Sequence, residues 1–291
     1  MTATIIDGKK VSKEVREELK PRVQNLIKQG LKPGLAVVLV GDDPASQVYV
    51  RNKEKACEKL GIYSLKHQMP ASTNQTDLLQ IVDQLNNDPA IHGILVQLPL
   101  PKHLNEKTIL YHINPLKDVD GFHPYNLGRL MIGDPIFLPC TPWGVQELLS
   151  RYQIDVAGKN VVIVGRSNIV GKPLAMMLVQ KTKAANATVT ICHTGTNNLA
   201  QHTLMADVLI AAAGSPKMIT GDMVREGAVV IDVGVNKVDD HLVGDVDFES
   251  VVNQASFITP VPGGVGPMTI AMLMANTVKS AERTLQSNLV S

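Results

Sequence analysis

Short apolar runs alternate along the chain with amphipathic segments, and this alternation is typical of β-α-β units that build a mostly parallel sheet. The predicted strands are Leu35–Val40, Tyr63–Met69, Gly93–Leu98, Asn160–Val164, Thr188–Cys192, Val208–Ala212, Ala228–Val233 and Ser256–Ile258. The predicted helices are Lys9–Gln29, Ala45–Leu60, Asn74–Asn87, Trp143–Tyr152 and Met268–Leu289. Several of the strands are apolar on both faces, as expected of strands covered by helices on each side. The pattern therefore predicts an α/β fold.

The length of 291 residues is sufficient for two domains. A segment with three prolines and little periodicity, Pro135–Trp143, separates the two halves of the pattern, and we expect the domain boundary there. One α/β domain then comprises residues 1–141 together with the C-terminal helix, residues 268–291. The other domain, residues 142–267, is predicted to be a Rossmann-type doubly wound parallel sheet.

Composition and charge narrow the functional class. The chain is 44% hydrophobic and 19% charged, which excludes a disordered or coiled-coil protein. Its net charge of +1 provides no overall attraction to nucleic acid or to an anionic membrane. Three widely separated cysteines disfavour both a disulfide framework and a zinc site, so we expect no metal. No apolar stretch approaches the ~20 residues of a membrane span, and we expect a soluble cytoplasmic protein.

A glycine turn between a buried strand and a helix is the strongest local motif. It runs from Gly165 through Arg166 and Ser167 to Gly171, and such turns direct unpaired helix N–H groups at a phosphate. The spacing does not fit a P-loop, because five residues separate the two glycines and Pro173 follows Lys172. The dinucleotide fingerprint fits better, although Ser167 replaces its middle glycine. An ordinary β-α turn with glycines for steric reasons is the alternative.

The residues after the second strand of this half indicate which dinucleotide binds. An NAD site usually has an acidic residue there, whereas this strand ends Cys192–His193–Thr194. Arg166 stands beside the turn, where a guanidinium could pair with a 2′-phosphate, or it could be a solvated surface residue. These residues favour NADP over NAD.

The first half of the chain contains a second set of candidate residues. Tyr49 and Lys53 are four apart in a predicted helix and share one face, although a lone helical lysine is usually solvated. Gln97 ends a strand, where ligands often bind, or it could only satisfy the backbone. The acidic turn Lys117–Gly121 contains Asp120, and such a segment is often just a turn.

Taken together, five segments resemble the signature segments of the bifunctional methylenetetrahydrofolate dehydrogenase/methenyltetrahydrofolate cyclohydrolase family. The resemblance covers nearly the whole chain, in order, and its segments are Tyr49–Lys53, Gln97–Pro101, Lys117–Gly121, Gly165–Ser167 and Pro260–Pro267. It implies that 5,10-methylenetetrahydrofolate is oxidised with NADP to the methenyl compound, which water converts to 10-formyltetrahydrofolate. It also implies that both steps share an interdomain active-site cleft.

The resemblance assigns roles residue by residue. The implied catalytic residues are Lys53, which assists proton transfer, Gln97, which orients the lysine, and Asp120, which binds the pterin edge. The implied substrate-binding residues are Tyr49, Leu98, Pro99, Pro262, Gly263 and Gly264. The implied cofactor-binding residues are Gly165, Arg166, Ser167, Ile169, Gly171, Thr194 and Val235. A lysine with the usual pKa of ~10.4 is only ~0.04% neutral at pH 7, so its surroundings must lower that pKa if it is to act as a base.

The resemblance further implies a homodimer and a place in one-carbon metabolism that serves purine, methionine and histidine biosynthesis. Two rival functions remain open at this point. One is an NADP-dependent dehydrogenase of a different small substrate, such as a shikimate-type enzyme, which would not need Tyr49, Lys53, Gln97 and Asp120 together. The other is a nucleotide-sensing protein without catalytic activity.

Overall fold

The computed structural model describes residues 2–239 and 241–290, and the side chains of residues 288–290 fall outside the description. The chain divides into two compact units. The six-stranded unit consists of Met1–Lys13 and Thr141–Thr269, and the three-stranded unit consists of Glu14–Cys140 and Ile270–Ser291. None of the helices within the described residues combines the length and the apolar character that a membrane span needs.

Helices and strands alternate along most of the described chain. The strands are β1 (Thr4–Ile5), β2 (Gly34–Val40), β3 (Tyr63–Met69), β4 (Gly93–Val96), β5 (Asn160–Val164), β6 (Thr188–Cys192), β7 (Val208–Ala211), β8 (Val229–Asp232), β9 (Asn236–Val238), β10 (His241–Val243) and β11 (Phe257–Ile258). The α-helices are α1 (Gly8–Lys28), α2 (Pro44–Leu60), α3 (Gln75–Asn87), α4 (Glu106–His112), α5 (Pro124–Met131), α6 (Cys140–Arg151), α7 (Gly171–Leu178), α8 (Leu199–Thr203), α9 (Phe248–Val251) and α10 (Val265–Val290). A short 3-10 helix spans Gly221–Met223.

The three-stranded unit is built on a parallel sheet in the order β3-β2-β4. Every residue of the central strand β2 is buried, because its alanine, valine and leucine side chains pack on both faces of the sheet. Strand β4 ends at Val96, so Gln97 follows directly at the carboxyl end of the sheet. This edge is where parallel α/β sheets usually bind ligands.

The six-stranded unit contains a parallel sheet in the order β1-β11-β8-β7-β5-β6. Strand β5 pairs with β6 on one side and with β7 on the other. The strand order therefore changes direction at β5, although all the strands remain parallel. The α/β prediction is therefore confirmed, and the reversal at β5 is the kind of position at which open α/β sheets bind nucleotides.

The predicted bounds of three strands, β3, β5 and β6, are identical to the observed ones. The N-terminal residues differ from the expectation that they belong with residues 14–141. Thr4 and Ile5 of β1 pair with Phe257 and Ile258 of β11, which places this segment in the six-stranded unit. The C-terminal part of the three-stranded unit begins at Ile270, two residues after the expected Met268.

Candidate active site and dinucleotide cavity

Helix α2 places a lysine in the interior of the three-stranded unit. The helix is fixed at its start, where the Asp43 carboxylate accepts from the Ser46 N–H at 2.8 Å, and it ends at Gly61 in the left-handed conformation. Lys53 lies on the buried face of this helix and is only 7% exposed, whereas Tyr49, one turn earlier, is 39% exposed. The alternative of a solvated lysine therefore does not hold.

Gln97 holds the lysine amine through its side chain. Nζ of Lys53 donates to Oε1 of Gln97 at 2.8 Å, and Nε2 of Gln97 donates to the Leu98 carbonyl at 2.7 Å. The second hydrogen bond fixes which end of the amide faces the amine. Leu98 is half-buried, and Pro99, the next residue, is exposed.

Burial changes the ionisation of the groups around Lys53. Desolvation lowers the pKa of Lys53, and the negative charge of Asp120 partly offsets this effect. Desolvation also raises the pKa of Asp120 to about 6, although the charge of Lys53 acts in the opposite direction. A buried amine with a lowered pKa next to a carboxyl with a raised pKa is the environment in which proton transfer near neutral pH is feasible.

Two further residues of this group were not identified from the sequence. Burial raises the pKa of Cys140 well above its ordinary value, and the thiol donates to the Val119 carbonyl at 3.3 Å. Nδ2 of Asn276 in α10 donates to the carbonyls of Val119 and Leu138, at 2.8 Å each. These contacts fix the backbone next to Asp120. The polar pair Asn276–Thr277, which follows the apolar run Ile270–Ala275 in α10, was the signal that could have identified Asn276.

The six-stranded unit has a cavity of about 470 Å³ at the carboxyl ends of β5, β6 and β7. The lining residues are Val164, Gly165, Arg166, Ser167, His193, Thr194, Thr196, Leu199, Ala212, Ala213, Ser215 and Met218. Four of the predicted cofactor-binding residues are therefore brought together in one cavity. Several others in this set, among them Ser215, were missed because their places depend on strand order rather than on local sequence.

Gly165 allows the end of β5 to approach the neighbouring strand. Its φ is +136°, and a Cβ atom there would lie 2.1 Å from the Ala212 carbonyl oxygen. Ser167 Oγ accepts from the Val170 N–H at 3.1 Å at the start of α7. The hydroxyl thus takes over part of the helix capping, while the turn keeps the beginning of the helix beside the cavity.

The polar lining of this cavity fits a 2′-phosphorylated dinucleotide. Arg166 is exposed at the cavity wall, and none of the described lining residues carries a carboxylate that could accept from a ribose 2′-hydroxyl. A guanidinium without a competing carboxylate in the cavity favours a phosphate ester.

The remaining predicted residues lie outside the lining of the cavity. Ile169 is 37% exposed, Gly171 begins α7, and Val235 follows β8 at 44% exposure. Pro262, Gly263 and Gly264 form the loop before α10 in the six-stranded unit, where the Lys9 N–H donates to the Gly263 carbonyl at 3.1 Å. Among the described residues, no cluster of three or more His, Cys, Asp or Glu side chains could hold a metal ion.

Two family models match the chain. Residues 6–120 match the catalytic domain of tetrahydrofolate dehydrogenase/cyclohydrolase, and residues 139–285 match its NAD(P)-binding domain. The bifunctional protein FolD of Moorella thermoacetica is 62% identical over 284 residues, which cover 97% of this chain and 100% of that protein.

Solved structures give the same similarity. The bifunctional FolD enzyme of Campylobacter jejuni superimposes with a TM-score of 0.93 at 52% identity, covering 97% of this chain and 99% of that one. The Trypanosoma brucei FolD enzyme, crystallised with NADP and an inhibitor, has a TM-score of 0.93 at 39% identity and covers 98% and 99% of the two chains.

Proposed function

Because the chain belongs to the tetrahydrofolate dehydrogenase/cyclohydrolase family, we propose that it oxidises 5,10-methylenetetrahydrofolate with NADP and then hydrolyses the methenyl product to 10-formyltetrahydrofolate. One observation carries the second activity, namely the buried Lys53 amine that donates to Gln97 beside Asp120. A different small substrate would not require this group of residues, and a nucleotide sensor would not require a buried amine with a lowered pKa.

The glycine turn and its cavity hold the cofactor. Gly165 and the start of α7 would hold the pyrophosphate, and Arg166 and Ser167 would bind the 2′-phosphate. Thr194 lies at the end of β6 in the same cavity, and Ile169, Gly171 and Val235 complete the set carried over from the family. When bound, NADP supplies the acceptor for the hydride of the one-carbon bridge.

Lys53 acts in the hydration step. The oxygen of a water molecule bonds to the cationic methenyl carbon, and the neutral amine of Lys53 takes the proton that water releases. The bond between that carbon and the ring nitrogen N5 then breaks: N5 keeps the electron pair and takes the proton back from the Lys53 ammonium, while the new hydroxyl group loses its proton to solvent and becomes the formyl C=O on N10. Desolvation favours the neutral amine, and the Gln97 hydrogen bond holds it in one orientation.

The folate ring system binds around this amine. The exposed ring of Tyr49 provides a flat face for the pterin and p-aminobenzoate, and Asp120 accepts from the N–H groups of the pterin edge. Leu98 and Pro99, which follow Gln97 directly in sequence, are carried over from the family as substrate-binding residues. Pro262, Gly263 and Gly264 are carried over from the family as further substrate-binding residues.

We also propose a cytoplasmic homodimer whose product supplies one-carbon units for purine, methionine and histidine biosynthesis. Strand β6 is the last strand at one edge of the sheet of the six-stranded unit. None of the described strands pairs with the outer side of its backbone. An edge strand of this kind, rich in β-branched residues, favours pairing with a second copy.

A spectroscopic assay with methylenetetrahydrofolate and NADP tests the proposed function. We expect NADPH to form together with the methenyl species. The methenyl absorbance should then decay faster than the absorbance of methenyltetrahydrofolate kept in the same buffer without the protein. Absence of NADP reduction would contradict the dehydrogenase activity. A decay rate equal to that of the uncatalysed reaction would contradict the cyclohydrolase activity.

A further inference from the structure

Two buried aspartates of the six-stranded unit have no part in the function described so far. Asp232 ends β8 and is 4% exposed, and Asp245 follows β10 and is 0% exposed. The Asp245 carboxyl packs against Gly234, which is close to Asp232 in sequence, and the Asp232 carboxyl packs against Gly244, which precedes Asp245. A Cβ atom on Gly234 would lie 2.2 Å from the Asp245 carboxyl, and one on Gly244 would lie 1.7 Å from Oδ2 of Asp232.

Asp245 gathers the loop that follows β7. Its Oδ2 accepts from the N–H groups of Ala213 at 2.6 Å and Gly214 at 2.9 Å. Its Oδ1 accepts from the Ser215 N–H at 2.9 Å and from Nδ2 of Asn236 at 2.8 Å. Four donors thus converge on one buried carboxyl group, and three of them fix consecutive residues of the loop.

Asp232 holds Asp245 in position. Oδ1 of Asp232 accepts from the N–H groups of Gly234 and Asp245 at 3.0 Å each, and Oδ2 accepts from the Val246 N–H at 2.9 Å. The two aspartates therefore tie together the end of β8, the residues after β10 and the loop after β7.

This network forms part of the wall of the dinucleotide cavity. Ala213 and Ser215, whose N–H groups donate to Asp245, are lining residues of that cavity. Val235 lies between Gly234 and Asn236, and each of these two neighbours donates to one of the aspartates. The cavity wall and the Val235 segment consequently depend on the same carboxylate.

We propose that Asp245 is a positioning residue for NADP binding, which acts by fixing the Ala213–Ser215 wall and the Val235 segment. The inference rests on the proposed function, because the cavity is taken as the NADP site. Asp245→Asn keeps the shape of the side chain but replaces one acceptor oxygen with an NH₂ group. In either orientation of the amide, that group faces two donors, which forces the loop to move.

The test compares wild type, Asp245→Asn and the exposed control Asp222→Asn from the same unit. We expect Asp245→Asn to raise the Kd of NADP, measured by titration calorimetry, by about tenfold or more. The KM for NADP should rise in parallel, with a smaller change in kcat. Hydration of added methenyltetrahydrofolate consumes no NADP, and its rate should remain at the wild-type value. In Asp222→Asn, the Kd and KM for NADP, kcat and the hydration rate should all equal those of wild type.

A Kd for NADP within about twofold of wild type in Asp245→Asn would overturn the inference. If that variant does not fold, the Kd for NADP is measured in Asn236→Ala instead. This substitution removes only the side-chain donor next to Val235 and leaves the Asp245 carboxyl in place. Unchanged NADP affinity in Asn236→Ala would then overturn the inference, and weaker affinity would support it. Failure of the proposed function looks different, because wild type itself would then neither reduce NADP with methylenetetrahydrofolate nor hydrate the methenyl compound.

Discussion

Replacing the Asp120 carboxyl with an amide should stabilise the protein, and the gain should depend on pH. Desolvation raises the pKa of Asp120 from its ordinary value of 3.8 to about 6. Between these two values the folded state binds the proton more tightly than the unfolded state does, so wild type loses stability as the pH rises. Asp120→Asn has no proton to lose and resembles the protonated side chain at every pH.

The size of the effect follows from the same two pKa values. A rise from 3.8 to about 6 corresponds to about 3 kcal/mol at pH values above 6. This figure is an upper bound, because part of Asp120 reaches solvent. We expect the variant and wild type to have similar free energies of unfolding near pH 4, and the variant to be more stable by up to about 3 kcal/mol at pH 7.

Urea unfolding followed by circular dichroism between pH 4 and pH 7 measures this difference. The exposed substitution Asp42→Asn on the same unit is the control for loss of one negative charge. A stability difference for Asp120→Asn that does not grow with pH, or that has the opposite sign at pH 7, would refute the account of this carboxyl.

Two further substitutions test other parts of the structure. Arg166→Ala should raise the Kd and KM for NADP by about 10- to 100-fold, because the 2′-phosphate contact is lost, and it should leave the KM for NAD nearly unchanged. The control is Arg225→Ala, at an arginine paired with Asp207, which should change none of these constants. An equal NADP preference in Arg166→Ala and wild type would remove the residue from cofactor selection. Asn276→Ala should lower the free energy of unfolding by about 2–4 kcal/mol, because the carbonyls of Val119 and Leu138 lose a buried donor; a loss below about 0.5 kcal/mol in urea unfolding would contradict this role.

The sheets could be predicted where the sequence is locally unambiguous. Strands β5 and β6 are continuous runs dominated by β-branched residues, and their bounds match the prediction. Strand β1 has two residues, and its place depends on pairing with β11, more than 250 positions away in sequence, so no local pattern could predict it. Helices α4 and α5 have seven and eight residues, too few for a periodic signal.

The shared helix face of Tyr49 and Lys53 was predictable from the sequence, but the environment of the two side chains was not. Periodicity placed Tyr49 and Lys53 on one helix face, yet only the structure shows that this face is buried at Lys53 and open at Tyr49. Long-range contacts could not be predicted either, because their partners are far apart in sequence. Asp245 lies 30 or more residues from the N–H groups of Ala213, Gly214 and Ser215 that it binds, and nothing in its local sequence indicates them.

The rate of methenyltetrahydrofolate hydration in Lys53→Ala is the most direct test of the central claim, which is that this buried amine performs the second reaction. The matched control is Lys55→Ala, since Lys55 is exposed on the same helix. The account predicts that the hydration rate of Lys53→Ala falls by at least about 100-fold while its Kd for NADP stays at the wild-type value. The hydration rate of Lys55→Ala should equal that of wild type. An undiminished hydration rate in folded Lys53→Ala would contradict the account.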